Sequence, residues 1–231
     1  MRALILAAGR GERMRPLTDL VPKPLLEAGG RTLIEWQIER LARAGLRELV
    51  VNVSHLAGQI ETALGDGSRH GVHIAYSREP AALETAGGVA QALDLLGDAP
   101  FVAVNADIYC EYDYASLLPV LAGMAGAGGE PHAHLVLVPN PSHHPLGDFV
   151  LGADGRIAND GALRLTFSGI GAYRPAAFRH IVRGSRAALA PLLRGLAERG
   201  ELHGERFDGH WVDVGTPQRL DGLRSFLIGR A

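Results

Sequence analysis

The sequence predicts an α/β protein built on a mainly parallel sheet, and three observations carry that prediction. Short apolar runs rich in β-branched residues recur through the first half. Between them lie stretches with apolar residues at helical spacing. The second half then changes to strands linked by turns, which adds antiparallel pairing to the sheet. At 231 residues, 47% hydrophobic and 21% charged, the chain has an ordinary globular composition and is long enough for one well-buried domain.

Strands are predicted at 3–8, 49–53, 72–76 and 101–105. Leu33, Trp36, Leu41 and Ala44 mark the first helix, Leu56, Ile60 and Leu64 the second, and Val89, Ala92, Leu93 and Leu96 the third. This alternation implies right-handed βαβ units with helices on both faces of the sheet. Further strands are predicted at 135–138, 149–152, 164–172 and 202–207, with helices at 188–199 and 217–228. The Gly- and Ala-rich segment 122–131 is predicted as a loop that returns the chain to the same sheet. The chain as a whole, 1–231, is expected to form a single domain.

Charge and cysteine content exclude several function classes. A net charge of -2 provides no basic field for nucleic acid. The single cysteine, Cys110, permits no internal disulfide and suits a reducing cytoplasm. The apolar opening stretch is too short for a signal sequence and runs into glycines, and no later run approaches the length of a membrane span. A cytoplasmic protein without membrane or nucleic-acid partners is expected.

Of the 23 basic residues, 22 are arginine and one, Lys23, is lysine. Where the chain needs only positive charge it has arginine, so the exception points to a place that needs a compact three-donor ammonium. Pro22 and Pro24 flank it and are expected to hold the backbone extended, limiting the directions open to the side chain. A point charge preset in this way suits a transferring phosphoryl group.

Ahead of it, residues 6–18 read LAAGRGERMRPLT. A buried strand followed by Gly9 and Gly11 gives a turn whose N–H groups can converge on phosphate oxygens, with Arg13 and Arg15 adding charge. The same glycines also suit a plain strand–helix turn. The loop lacks the third glycine and ribose carboxylate of a dinucleotide fingerprint, and the Gly-Lys-Ser/Thr ending of a P-loop.

Two aspartates are candidate metal ligands. Asp107 ends the apolar strand FVAVNAD, where parallel sheets bind ligands, and a carboxylate there suits Mg²⁺. It equally suits a helix N-cap. Asp213 lies on the apolar segment of HWVDVGTP, where a lone carboxylate is costly unless paired or metal-bound. Thr216 and Pro217 behind it have the residue types of a helix start.

Taken together, LAAGRGERMRPLT, PKPL, NAD and WVDVGT, in this order and at these separations, resemble the sugar-1-phosphate nucleotidyltransferase family over nearly the whole chain. The resemblance implies a Rossmann-like three-layer sandwich with a mainly parallel mixed sheet. It implies a nucleotide-binding half over about 1–110 and a sugar-binding half over about 111–231. It also implies in-line attack by a sugar phosphate oxygen on the α-phosphorus of a nucleoside triphosphate, without a covalent enzyme intermediate. On this likeness Arg13, Lys23 and Asp107 are catalytic. Ala8, Gly9, Gly11, Glu12, Arg13, Lys23, Gly88 and Asn105 bind the nucleotide, and Asp107 and Asp213 hold Mg²⁺.

Residues 139–149 (PNPSHHPLGDF), with LET at 83–85 and TFSGI at 166–170, resemble the branch of the family that uridylylates N-acetylmuramic acid 1-phosphate in cell-wall sugar recycling. That likeness implies UTP and the muramic acid phosphate as substrates, with Glu84, Asn140, Asp148, Ser168 and Gly169 lining the sugar pocket. The alternatives are a mannose or glucose 1-phosphate guanylyl- or uridylyltransferase and a non-catalytic nucleotide-sugar sensor. Oligomeric state leaves little trace in the sequence, and a monomer is slightly favoured.

Three departures from the family pattern stand out: Ala106 replaces the usual glycine before the metal aspartate, Glu12 replaces a common threonine, and the Glu-Lys-Pro motif of hexose-1-phosphate relatives is absent near 157–164. Ala106 is expected to crowd the ribose or shift the strand end. His143 and His144 suit a substrate-binding or solvated loop better than a zinc site, Trp211 suits a core anchor, and Cys110 has no basic activator nearby.

Overall fold

The computed structural model describes residues 1–126 and 131–230. The strands are β1 (Arg2–Leu6), β2 (Glu27–Ala28), β3 (Arg31–Thr32), β4 (Glu48–Val53), β5 (His73–Arg78), β6 (Phe101–Asn105), β7 (Ile108–Cys110), β8 (Ala133–Val138), β9 (Phe149–Leu151), β10 (Ile157–Ala158), β11 (Arg164–Tyr173), β12 (Leu202–Arg206) and β13 (Trp211–Asp213). The helices are α1 (Leu17–Leu20), α2 (Leu33–Arg43), α3 (Ala57–Leu64), α4 (Glu84–Leu96), α5 (Leu117–Met124), α6 (Leu189–Glu198) and α7 (Pro217–Ile228).

The central sheet runs β10-β9-β11-β6-β1-β4-β5, with β8 beside β11 and β12 beside β8. β6, β1, β4 and β5 are mutually parallel, as are β8 and β12, while β11 pairs antiparallel with β6, β8 and β9. The strands β1, β4, β6 and β8 are buried almost throughout, as a sheet covered on both faces requires. Alternate residues feed two cores. Ala3, Ile5, Val51 and Val104 pack with α2, α3 and α5, whereas Leu4, Val50, Ala103 and Leu135 pack with α4 and α6. The result is the expected Rossmann-like three-layer sandwich with a mixed, mainly parallel sheet.

A third, smaller core decides where the functional residues sit. Met14, Leu26, Ala28, Leu33, Tyr109, Val214, Leu220 and Leu223 form it, joining the segment after β1 to β7 and α7. The β7–β13 pair, in register with Asp213 opposite Ile108, brings the last quarter of the chain alongside the end of β6.

Two local expectations are corrected. The segment predicted as a loop at 122–131 begins as the last turn of α5, which runs to Met124, and residues 127–130 lie outside the described residues. Lys23 is not extended: Pro22 is (φ −63°, ψ 139°), and Lys23 opens a 3₁₀ turn over Lys23–Leu25.

Candidate active site

A cleft of about 510 Å³ opens beyond the carboxyl ends of β1 and β6. Its walls include Ala8, Gly9, Gly11, Glu12, Arg13, Lys23, Glu84, Asn105 and Asp107, so nine residues expected to bind nucleotide, sugar or metal meet in one place. The neighbourhood follows from register. Leu6 pairs with Asn105, and the Ala106 N–H donates to the Leu6 carbonyl at 3.0 Å, which sets the loop after β1 beside the end of β6.

The glycine loop turns at Gly11, whose φ of +66° lies in the left-handed region. A methyl group there would also fall 3.0 Å from Thr18 Cγ2 and 3.1 Å from Lys23 Cβ, so only glycine fits on both counts. The Thr18 hydroxyl donates to the Gly11 carbonyl at 2.9 Å. Met14 is wholly buried in the third core and anchors the turn that carries Arg13.

Lys23 is buried, with 6% of its surface exposed, and its ammonium forms an ion pair with Asp107 Oδ2. A buried ammonium is strongly disfavoured without such a partner. Asp107 lies between two strands and starts no helix, which removes the N-cap reading. Its carbonyl accepts from the Val214 N–H at 3.0 Å, and Asp213 stands one residue before Val214, so the two aspartates are neighbours across the β7–β13 pair. Asp213 Oδ2 accepts from Arg219 Nη1 at 2.7 Å and lies 3.6 Å from His143 Nε2.

This donor set fits a hard divalent cation. Asp107 borders a cleft that can admit phosphate oxygens, the Val214–Asp107 hydrogen bond sets Asp213 next to its wall, and such ions use one or two carboxylates plus substrate oxygens and water. Each ion pair engages Oδ2 of its aspartate. Among the described residues, no group of three or more His, Cys, Asp or Glu side chains could hold a metal through the protein alone.

The residues expected to line the sugar pocket divide into two groups. Glu84 borders the cleft at the start of α4, where it adopts a left-handed φ of 60° and pairs with Arg186 Nη2 at 2.7 Å. A non-glycine residue held in that conformation stores strain, a recurrent feature of ligand sites. The side chains of Asn140, Asp148 and Ser168 are instead engaged within the protein. Asn140 donates to the carbonyls of Arg164 (3.0 Å) and Pro145 (3.2 Å) and accepts from Thr166 Oγ1 (2.9 Å). Asp148 accepts from the Phe167 N–H at 2.8 Å and contacts His144 Nε2 at 3.1 Å. Ser168 is buried; its hydroxyl donates to the Val136 carbonyl and accepts from the Ile170 N–H, closing the irregular register in β11. Gly169 sits in that irregularity at φ +85°, where a methyl group would fall 2.6 Å from Asn105 Nδ2.

Gly88 is buried inside α4, and a methyl group on it would lie 2.6 Å from Glu79 Oε1 and 2.7 Å from Asn52 Nδ2. These last two residues were missed from sequence. Asn52 Oδ1 accepts from the Ala7 N–H at 2.7 Å, and its Nδ2 donates to Glu79 Oε1 at 2.6 Å. Glu79 Oε2 accepts from the Leu83 N–H at 2.9 Å. Both side chains border the cleft, and burial raises the Glu79 carboxyl above its ordinary range against these hydrogen bonds. Arg219 was missed too, although a cation in the first turn of a helix opposes the helix dipole and so asks for an explanation.

Other expectations resolve simply. Ala106 is fully buried in the first core and also forms part of the cleft wall between Asn105 and Asp107. Trp211 packs on the same core and donates from Nε1 to the Ser168 carbonyl at 2.9 Å. Burial pushes the Cys110 thiol up to about 12, which leaves it unreactive. Thr216 caps α7, its hydroxyl accepting from the Arg219 N–H at 3.4 Å. His143 belongs to the site through Asp213 and Arg219; burial, then the Arg219 charge, lowers its pKa. Among the described residues no helix is long and apolar enough to cross a membrane.

Comparisons with known proteins agree with this fold. The chain is 52% identical over 223 residues to the N-acetylmuramate α-1-phosphate uridylyltransferase of Neisseria meningitidis, covering 95% of each chain. It is 31% identical over 237 residues to the catalytic subunit beta of mannose-1-phosphate guanylyltransferase from Danio rerio, covering 98% of this chain but 65% of that longer protein. Its fold matches a solved structure from Bacillus anthracis, assigned to glucose-1-phosphate thymidylyltransferase, with a TM-score of 0.86 at 20% identity, covering 98% of this chain and 95% of the other. Residues 2–158 match the family model for nucleotidyl transferases, and the chain belongs to that family.

Proposed function

We propose that this chain transfers UMP from UTP to N-acetylmuramic acid α-1-phosphate, releasing pyrophosphate and forming UDP-N-acetylmuramic acid. The observation that carries the reading is the convergence of buried Lys23, its partner Asp107, Arg13 and the glycine loop on one cleft beyond the sheet. The 52% relative supplies the choice of sugar and base. The chain would act as one domain in the cytoplasm, within cell-wall sugar recycling.

In the proposed reaction an oxygen of the sugar phosphate attacks the α-phosphorus of UTP. The bond from that phosphorus to the bridging oxygen breaks, and pyrophosphate departs with the electron pair. Asp107 and Asp213 would hold Mg²⁺, which supplies charge neutralisation at the phosphates. The chain's own part is positioning and electrostatics. The amides around Gly9 and Gly11 cradle the triphosphate, Arg13 meets its outer phosphates, and Lys23 moves from Asp107 toward the charge that builds on the reacting group. Asn52, held by Glu79, fixes the Ala7 N–H and with it the start of the loop.

A pyrophosphate-release screen of sugar 1-phosphates against the four common triphosphates tests the proposal. The muramic acid phosphate with UTP should be the best pair, with hexose 1-phosphates far poorer. Turnover of mannose 1-phosphate with GTP, and none of the muramic substrate, would move the chain to the activity named for its 31% relatives. Tight binding of a nucleotide sugar without turnover of any pair would mark a sensor.

A further inference from the structure

Arg219 lies outside the phosphate-binding set that the sequence points to, yet its surroundings are built for an anion. Its side chain is only 18% exposed, and Nη1 reaches both Asp213 Oδ2 at 2.7 Å and His143 Nε2 at 2.6 Å. Nη2 lies over the bare Cα of Gly215. A methyl group on Gly215 would collide with it and would also stand 3.0 Å from Arg13 Nη2, so the two guanidinium groups converge on one point at the wall of the cleft. Arg13 makes no ion pair among the described residues, which leaves Asp213 as the carboxylate facing this cluster. Two guanidinium groups at the N-terminus of α7 repel each other and the helix dipole unless an anion lies between them.

We infer that Arg219 is a second phosphate-binding arginine that closes with Arg13 on the outer phosphates of the triphosphate, and on the pyrophosphate formed from them, once a divalent cation takes Asp213 from it. This inference rests on the reading above and deepens it. In the structure Asp213 and Arg219 neutralise each other. A cation that binds Asp213 removes the partner of Arg219, and the free fork then suits a phosphate group, which guanidinium binds in bidentate fashion. His143 positions the fork: Nη1–H donates to Nε2, which fixes that ring nitrogen as an acceptor and holds Nη2 above Gly215. Glycine at 215 is required because any side chain would fill the space over which the two arginines meet. Metal binding and pyrophosphate binding are thereby coupled, each raising the affinity for the other.

The test is a pair of calorimetric titrations on metal-stripped wild type and Arg219→Gln, one with Mn²⁺ alone and one with inorganic pyrophosphate in saturating Mn²⁺. The variant should bind pyrophosphate about 10–100-fold more weakly, the usual effect of losing a charged hydrogen bond. It should bind Mn²⁺ alone more tightly, because Asp213 no longer has a competing partner. Opposite signs are the signature, since damage to the fold would weaken both. If both affinities fall together in a variant whose melting temperature is unchanged, or if neither moves, the inference is overturned. Should Arg219→Gln fail to fold, the same titrations on Arg219→Lys decide, with a weaker but still opposed pair of shifts expected. Neither titration requires turnover, so a sugar screen that failed while these shifts appeared would refute the proposed reaction and leave the phosphate clamp intact.

Discussion

Lys23 and Asp107, 84 residues apart in sequence, form a partly buried ion pair on the wall of the cleft. The aliphatic stem of Lys23 packs against Gly11, which Thr18 also contacts, so the side chain that carries the ammonium is closely enclosed. That enclosure explains why a chain otherwise furnished with arginine keeps one lysine here. A planar guanidinium is larger and would displace Gly11 or break the pair.

Lys23→Arg therefore keeps the charge and loses the geometry. Turnover should fall by about 10²–10³-fold, the scale seen when one preorganised charge-stabilising donor is removed. Steady-state rates alongside a thermal melt check this. A rate near that of wild type would show the lysine to be interchangeable.

Asp213→Asn removes the carboxylate charge next to Arg219 while keeping its shape. The concentration of divalent metal needed for half-maximal rate should rise, and the rate at saturation should drop. An unchanged metal titration would remove Asp213 from the metal site.

Gly169→Ala places a methyl group 2.6 Å from Asn105 Nδ2 at a φ of +85°. The strain should cost about 1–3 kcal/mol. Asn105 should be displaced into the cleft, so the nucleotide KM rises with the loss of stability. Denaturant unfolding and KM measured together check the coupling.

Glu205 gives a pH prediction away from the cleft. His134, whose Nε2 stands 3.9 Å from Oε2, and the Tyr112 hydroxyl, which donates to Oε1, hold its carboxyl below the ordinary glutamate value of 4.5 against the opposing effect of burial. A carboxyl lowered in the folded state contributes stability that is full above its unfolded value and lost as pH falls through the folded one. Melting temperature should therefore drop as pH falls below 4.5, and Glu205→Gln should flatten that slope while costing about 1–2 kcal/mol at neutral pH.

What the sequence made legible follows from the range of the forces involved. The central strands and α7 declare themselves through local periodicity and through the Thr216-Pro217 cap. The α5 helix was hidden because Pro119 interrupts its pattern, although Pro119 sits in the first turn, where the missing N–H costs little. Lys23 and Asp107 could be picked out by scarcity and by position at a strand end. Asn52 and Glu79 could not, because their role exists only when β1, β4 and α4 are assembled, with partners 45 and 27 residues away. Ser168 has the residue type of a sugar ligand, but the shift in register between Phe167 and Ile170 leaves a carbonyl and an N–H that its hydroxyl must satisfy.

The most direct measurement follows the α-phosphate itself. UTP labelled at the α-phosphorus is incubated with the protein, N-acetylmuramic acid α-1-phosphate and Mg²⁺, and the products are separated. The account predicts that the label appears in UDP-N-acetylmuramic acid, with unlabelled pyrophosphate released in equal amount. Label that stays in UTP, or appears only as free UMP, would contradict it.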